Sequence, residues 1–208
     1  MLETMKRPAL LVIDMQNDFV RPGAPLEVPS ARDTIPVISG LIEKFRRKGL
    51  PVIYTRYIAD DLYQPLAARF GWIARLRPPV NACVPGHRRH YPDLGEMRGA
   101  IDVIDELAPL AGEEIVDKIY YSAFHRTDLE ERLRGQGVDS LAIVGTITEM
   151  CVEDTARHAV HYGYPTVLVS DGLSSNTPRQ HEATLEAFER NYGWVMPAAD
   201  LGAALNLA

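Results

Sequence analysis

The sequence predicts an α/β fold: a three-layer α/β/α arrangement around a mostly parallel central sheet. Three observations carry that reading. Short apolar, β-branched runs alternate with stretches of helical periodicity, the pattern of strand–helix–strand units. Two of those runs, Ala9-Leu10-Leu11-Val12-Ile13 and Ser140-Leu141-Ala142-Ile143-Val144, are apolar without alternation, as in strands covered on both faces. The length of 208 residues suits one α/β core and is short for two, so residues 1–208 read as a single domain.

The elements follow in order. A strand over 9–14 leads into the Pro- and Gly-rich loop Arg21-Pro22-Gly23-Ala24-Pro25. Ile35, Ile38, Leu41, Ile42 and Phe45 recur at helical spacing, so a helix is expected over 31–48, stopped by Gly49. Pro51-Val52-Ile53-Tyr54-Thr55 reads as the second strand. Residues 58–98, with five prolines between Pro65 and Pro92, read as irregular. A loop of that size is usually functional, and Tyr63, Phe70, Trp72 and Tyr91 favour a lid or contact element over a free linker. A short helix is expected over 99–108, strands over 114–118 and 140–145, and a helix over 127–135 between them. A helix from Cys151 to Gly163, a strand over 165–170, a helix over 178–192 and an edge strand Trp194-Val195-Met196 complete the chain.

Composition narrows the function. The net charge is −6, and no Lys/Arg stripe is present, so no nucleic-acid partner is expected. Phe45-Arg46-Arg47-Lys48 closes a helix, where cations suit the dipole. No apolar stretch is long enough to span a bilayer, and the first apolar run ends in Asp14 rather than in a cleavage site, so no membrane or signal segment is expected. Two cysteines without a CxxC spacing fit a reduced, cytoplasmic protein.

Chemistry gathers at strand ends. Cys151 follows a buried strand in Gly145-Thr146-Ile147-Thr148-Glu149-Met150-Cys151-Val152. With Thr148 as N-cap, Cys151 would be the third residue of a helix. Free N–H groups and the helix dipole there favour thiolate, the nucleophilic form. Read alone, Cys151 is equally well a small buried apolar residue. Asp14 ends the first strand run, and Lys118 follows Glu114-Ile115-Val116-Asp117. Ligands in open α/β sheets bind outside the carboxyl ends of strands. An acid, an amine and a thiol at or near three such ends form a candidate site; a buried salt bridge is the other reading of Asp14 and Lys118, and the thiol as third partner weighs against it. Cys83 reads as packing or lid contact, with a redox role as the other reading.

Asp14-Met15-Gln16-Asn17-Asp18-Phe19, Lys118, and Gly145-Thr146-Ile147-Thr148-Glu149-Met150-Cys151-Val152-Glu153 resemble the isochorismatase-like cysteine hydrolase superfamily. The similarity spans nearly the whole chain, motifs in the same order. The resemblance implies an Asp14–Lys118–Cys151 triad that hydrolyses an amide-type C–N bond through a covalent acyl-enzyme, on a small amide, carbamoyl or ureido compound. Cys151 would be the nucleophile, Asp14 the general base and later acid, and Lys118 the charge holding both. An ammonium between them would lower both pKa values. A cis peptide at Thr146–Ile147 is also implied, with the Ile147 and Cys151 N–H groups as an oxyanion hole.

Tyr121 and Phe124 are expected substrate contacts, because family members often place an aromatic after the lysine. Thr148 and Arg56 complete the expected substrate-binding set; Arg56 would suit a substrate carboxylate or could instead pair with a surface acid. Tyr57, Trp72 and His125 are further pocket candidates. The Asp-x-His metal motif of some family members is missing at Tyr54-Thr55-Arg56-Tyr57, and His87, His90 and His125 stand singly, so no metal and no cofactor are expected. The resemblance also implies a homodimer or homotetramer. Two other functions stay open: a vinyl-ether hydrolase using Asp14 as acid, and a non-catalytic scaffold.

Overall fold

A computed structural model describes residues 5–207. Its central sheet is parallel and six-stranded, in the order β5-β2-β1-β6-β7-β8. The strands are β1 (Pro8–Ile13), β2 (Val52–Tyr57), β5 (Glu114–Lys118), β6 (Ser140–Thr146), β7 (Thr166–Ser174) and β8 (Trp194–Met196). A separate antiparallel hairpin pairs β3 (Arg88–Tyr91) with β4 (Glu96–Gly99). The helices are α1 (Asn17–Val20), α2 (Ala31–Arg47), α3 (Gly71–Ala74), α4 (Leu129–Gly135), α5 (Glu153–His161), α6 (Pro178–Asn191) and α7 (Ala198–Ala204). The three-layer α/β/α fold expected from the alternating pattern is therefore present.

Side-chain alternation divides the core between the two faces of the sheet. Leu10 and Val12 of β1 pack with Ile38, Leu41, Ile42 and Phe45 of α2. Ala9, Leu11 and Ile13 pack the other way, with Leu129 and Leu133 of α4, Ala156 and Ala159 of α5, and Phe188 of α6. Full burial of each such large side chain stabilises by roughly 1.5–3 kcal/mol. Because β1 is covered on both sides, it could not alternate apolar with polar residues, which is why its sequence reads as one apolar run.

Two glycines are dictated by the backbone. Gly49 has φ +63° just beyond α2; Leu50 N–H donates to Phe45 O at 3.0 Å and Gly49 N–H to Arg46 O at 3.0 Å, closing the helix as a left-handed cap does. Gly145 has φ +113° at the end of β6. A Cβ there would lie 2.1 Å from Ile13 O. Only glycine lets β6 approach β1 this closely, one residue before Asp14 on the neighbouring strand.

The helix expected over 99–108 is not formed. Gly99 ends β4, residues 100–102 turn, with Asp102 N–H donating to Gly99 O at 3.2 Å, and a single 3₁₀ turn follows only at Asp105–Leu107. Gln16 pairs with Val103 as an isolated bridge, and Ile104 N–H donates to Met15 O at 3.0 Å. The loop after β1 thus takes this backbone as a partner, and tertiary pairing overrides the helical spacing of Ile101, Ile104 and Leu107.

The stretch 58–98 is ordered rather than a free linker. Asp18, fully buried, organises it: its carboxylate accepts from Cys83 N–H at 2.9 Å, Arg89 Nε at 3.0 Å and Tyr91 OH at 2.6 Å. Cys83 is itself fully buried in the apolar core, which fits the packing role. Among the described residues no helix is long and apolar enough to cross a membrane.

Candidate active site

The site is built at the carboxyl ends of β1, β5 and β6, where an open parallel sheet offers a crevice. Asp14 comes directly after β1, in a left-handed backbone conformation with φ +49°. Thr55 of β2 orients it: Thr55 Oγ1 accepts from Asp14 N–H at 3.2 Å and donates to Asp14 Oδ1 at 2.6 Å. The other carboxylate oxygen, Oδ2, lies 2.7 Å from Lys118 Nζ. Lys118 is the last residue of β5, with its side chain fully buried. Its ammonium also donates to Tyr120 O at 2.9 Å and to Cys151 Sγ at 3.2 Å, and stands 5.5 Å from the centre of the Tyr57 ring. Asp14, Lys118 and Cys151 are thus brought together, with the lysine in contact with both other groups.

The local backbone at Cys151 differs from the expected helix start. Thr148–Val152 forms one π turn before α5 begins at Glu153, and Val152 N–H reaches Ile147 O at 3.2 Å. Thr148 is no N-cap. It is fully buried, and its hydroxyl lies 3.0 Å from Ser174 O, to which it donates, and 2.8 Å from His181 Nδ1. It ties the turn to β7 and α6. The peptide between Thr146 and Ile147 is cis.

Electrostatics correct one expectation. Burial pushes the Cys151 thiol well above its ordinary range; the Lys118 ammonium opposes that rise, and the Asp14 carboxylate adds to it. The net direction favours the neutral thiol, not a resting thiolate. Burial also works against the charge on Lys118, but Asp14 and Cys151 beside it prevail, and its pKa is raised. The lysine stays an ammonium. The charges are visible in the sequence, whereas the desolvation of the thiol arises only from its burial in the fold.

Cys151 opens, at 7% exposure, onto a cavity of about 230 Å³. Phe19, Tyr57, Trp72, Tyr121, Ile147 and Met150 supply its apolar wall. Trp72 and Tyr121 face each other with ring centres 5.9 Å apart. The expected contact Tyr121 therefore lines the cavity, as do Tyr57 and Trp72.

Three other expected substrate contacts do not line it. Arg56 is engaged by Asp117 on the neighbouring strand, Nε to Oδ1 at 2.7 Å and Nη2 to Oδ2 at 2.9 Å, because residues 56 and 117 are register partners between β2 and β5. Phe124 is buried in the second core cluster against His158, Tyr162 and Tyr164. Thr148 is committed to Ser174 and His181, as described. His125 also lies elsewhere, with its Nε2 3.1 Å from Tyr63 OH. Sequence reasoning missed Thr55, whose place on β2 opposite Asp14 is a matter of strand pairing, and Arg75, which lines the cavity from the turn after α3. Among the described residues no group of three His, Cys, Asp or Glu side chains is arranged to hold a metal ion.

Comparison with known proteins agrees with this geometry. The Isochorismatase domain family matches residues 8–200. A maleamate amidohydrolase of Pseudomonas putida is 30% identical over 195 residues, which cover 94% of this chain and 85% of that protein. The crystal structure of a cysteine hydrolase from Pseudomonas syringae superposes with a TM-score of 0.80 at 29% identity, covering 96% of this chain and 92% of that one. That of N-carbamoylsarcosine amidase from Thermoplasma acidophilum gives 0.73 at 30% identity, covering 92% and 96%. With residues 8–200 matched by the family and solved relatives superposing over nearly its full length, the chain belongs to the isochorismatase domain family.

Proposed function

We propose that this protein is a cysteine amidohydrolase that cleaves a non-peptide C–N bond of a small amide, carbamoyl or ureido compound. The observation that carries the reading is the contact chain Asp14–Lys118–Cys151, with Lys118 Nζ 2.7 Å from the carboxylate and 3.2 Å from the sulfur, at the edge of an apolar cavity. A buried salt bridge needs no thiol in contact with its lysine. Amidohydrolases among the relatives support the bond type.

In the proposed cycle Cys151 Sγ attacks the substrate carbonyl carbon while its proton passes to Asp14. The carbonyl oxygen becomes an oxyanion, met by the backbone N–H groups of Ile147 and Cys151, the assigned oxyanion hole. The C–N bond then breaks as Asp14 returns the proton to the leaving nitrogen, and a thioester to Cys151 remains. Water, deprotonated by Asp14, attacks the thioester carbon, and the acid leaves as the thiol is restored. Tyr121 flanks the bound substrate. Lys118 keeps the carboxylate and sulfur in register throughout.

The test is Cys151→Ala and Cys151→Ser assayed against a panel of small amides for released ammonia. Both should lose hydrolysis while keeping the circular dichroism of the parent. Near-parental turnover in Cys151→Ala would refute the covalent route. We further infer a homodimer or homotetramer, from the exposed apolar residues Leu62, Leu66 and Phe70 on one stretch of chain. A reducing, cytoplasmic setting suits the free, buried Cys83 and Cys151.

A further inference from the structure

The cavity above Cys151 has two charged residues in its wall, Glu27 and Arg75. Glu27 is already neutralised: one carboxylate oxygen lies 2.9 Å from Arg32 Nη1 and the other accepts Gly23 N–H at 2.8 Å. Arg75 is different. Its side chain is exposed and, among the described residues, joins no ion pair; its one side-chain hydrogen bond runs from Nη1 to Pro25 O at 2.7 Å. That bond fixes the guanidinium against the 24–27 loop, which carries Leu26 and Glu27 into the same wall. The Nε–Nη2 edge is left without a protein acceptor. A guanidinium edge of this kind presents two parallel N–H groups, the geometry that grips a carboxylate.

Apart from Cys151 and the neutral polar residues Thr146 and Asn176, the rest of the wall is aromatic or aliphatic and carries no charge. A small molecule that fills the cavity therefore meets a thiol at one point, flat apolar surfaces along its body, and one unpaired cation. We propose that Arg75 is a specificity-determining residue that binds the carboxylate of a small anionic amide, so that the substrates are short monoamides bearing a free carboxylate rather than neutral amides. This rests on the amidohydrolase reading given above. It gives the carboxylate-binding role, expected of Arg56, to an arginine that faces the cavity and is free to take it.

Succinamate and butyramide make the test, since they present a similar chain and the same amide with and without the carboxylate. Released ammonia gives kcat and KM for each, and calorimetry gives the affinity of Cys151→Ala protein for uncleaved succinamate. The parent protein should favour succinamate. Arg75→Gln should raise the KM for succinamate by about 10–100-fold, the worth of hydrogen bonds to a charged group, with kcat nearly constant and the KM for butyramide little moved. Arg75→Lys should recover part of the loss, because it keeps the charge and gives up the fork. In the Cys151→Ala background, Arg75→Gln should weaken succinamate binding by the same factor. Equal parental kcat/KM for the two amides, or an Arg75→Gln effect of the same size on both, would overturn the assignment and leave the amidohydrolase reading standing. Ammonia release from neither amide, with no succinamate binding to the Cys151→Ala protein, would overturn both.

Discussion

Lys118→Met is the perturbation that separates a working triad from a buried ion pair. The ammonium it removes is fully buried and serves three acceptors: Asp14 at 2.7 Å, Tyr120 O at 2.9 Å and Cys151 at 3.2 Å. Methionine keeps most of the volume, so the packing loss is small. The main cost is the Asp14 carboxylate left buried without its partner, and breaking such a pair costs about 3–5 kcal/mol. For a domain of this size each kcal/mol lowers Tm by roughly 2–4 °C, so a fall of roughly 6–20 °C is expected. Removing both charges in Asp14→Leu/Lys118→Met should recover most of it, since a buried pair replaced by apolar residues is often neutral or better. Activity should not follow stability. Triad members act as a unit, so kcat/KM should drop by on the order of 10⁴ in the single variant and stay low in the more stable double one. Calorimetry and the ammonia assay on the three proteins decide it. A Lys118→Met protein that melts within 2 °C of the parent (roughly 1 kcal/mol or less) and keeps its kcat/KM would refute the assigned role.

Two shorter predictions follow from the same structure. Because burial raises the Cys151 thiol above its ordinary value, its thiolate fraction should still be growing at alkaline pH, so the rate of alkylation by iodoacetamide should climb continuously from pH 6 to 10; a plateau reached below pH 7 would show a resting thiolate instead. Light scattering at micromolar concentration should find a particle at least twice the 23.2 kDa of one chain, and a 23.2 kDa species would rule out the inferred assembly.

The sequence carried the strand ends well and the tertiary environment poorly, for a physical reason. Asp14 follows an apolar run, Lys118 closes β5, and Cys151 lies in the turn just beyond β6, and a chemically distinctive residue at or just past a strand end is visible without coordinates. Tyr121 was legible through its place after Lys118. By contrast, whether Arg56 or Arg75 faces the cavity depends on which acid stands across the sheet, and Asp117 is set there by register. The segment after Gly99 has helical spacing, yet Met15 and Gln16 capture its backbone. Thr148 has the chemistry of an N-cap, but the π turn and the contacts to Ser174 and His181 employ it otherwise. In each case a local signal lost to a partner far away in sequence.

The raised thiol pKa has the same origin, and it is consistent with the proposed chemistry. In a dry site the cheapest resting state is the one with least net charge. Carboxylate, ammonium and neutral thiol sum to zero, whereas a thiolate beside Asp14 would leave the trio at −1. Attack on an amide moves the thiol proton to Asp14 as the substrate oxygen takes up the negative charge. The site then holds a neutral acid, the ammonium and an oxyanion, and again sums to zero. The nucleophile need never exist as a free buried anion, because its negative charge passes to the oxyanion as the S–C bond forms. Lys118 is the fixed positive charge in both states. Burial works against its charge, but the Asp14 carboxylate beside it does most to keep its pKa raised, so in the proposed cycle it is there to balance the carboxylate first and the oxyanion next.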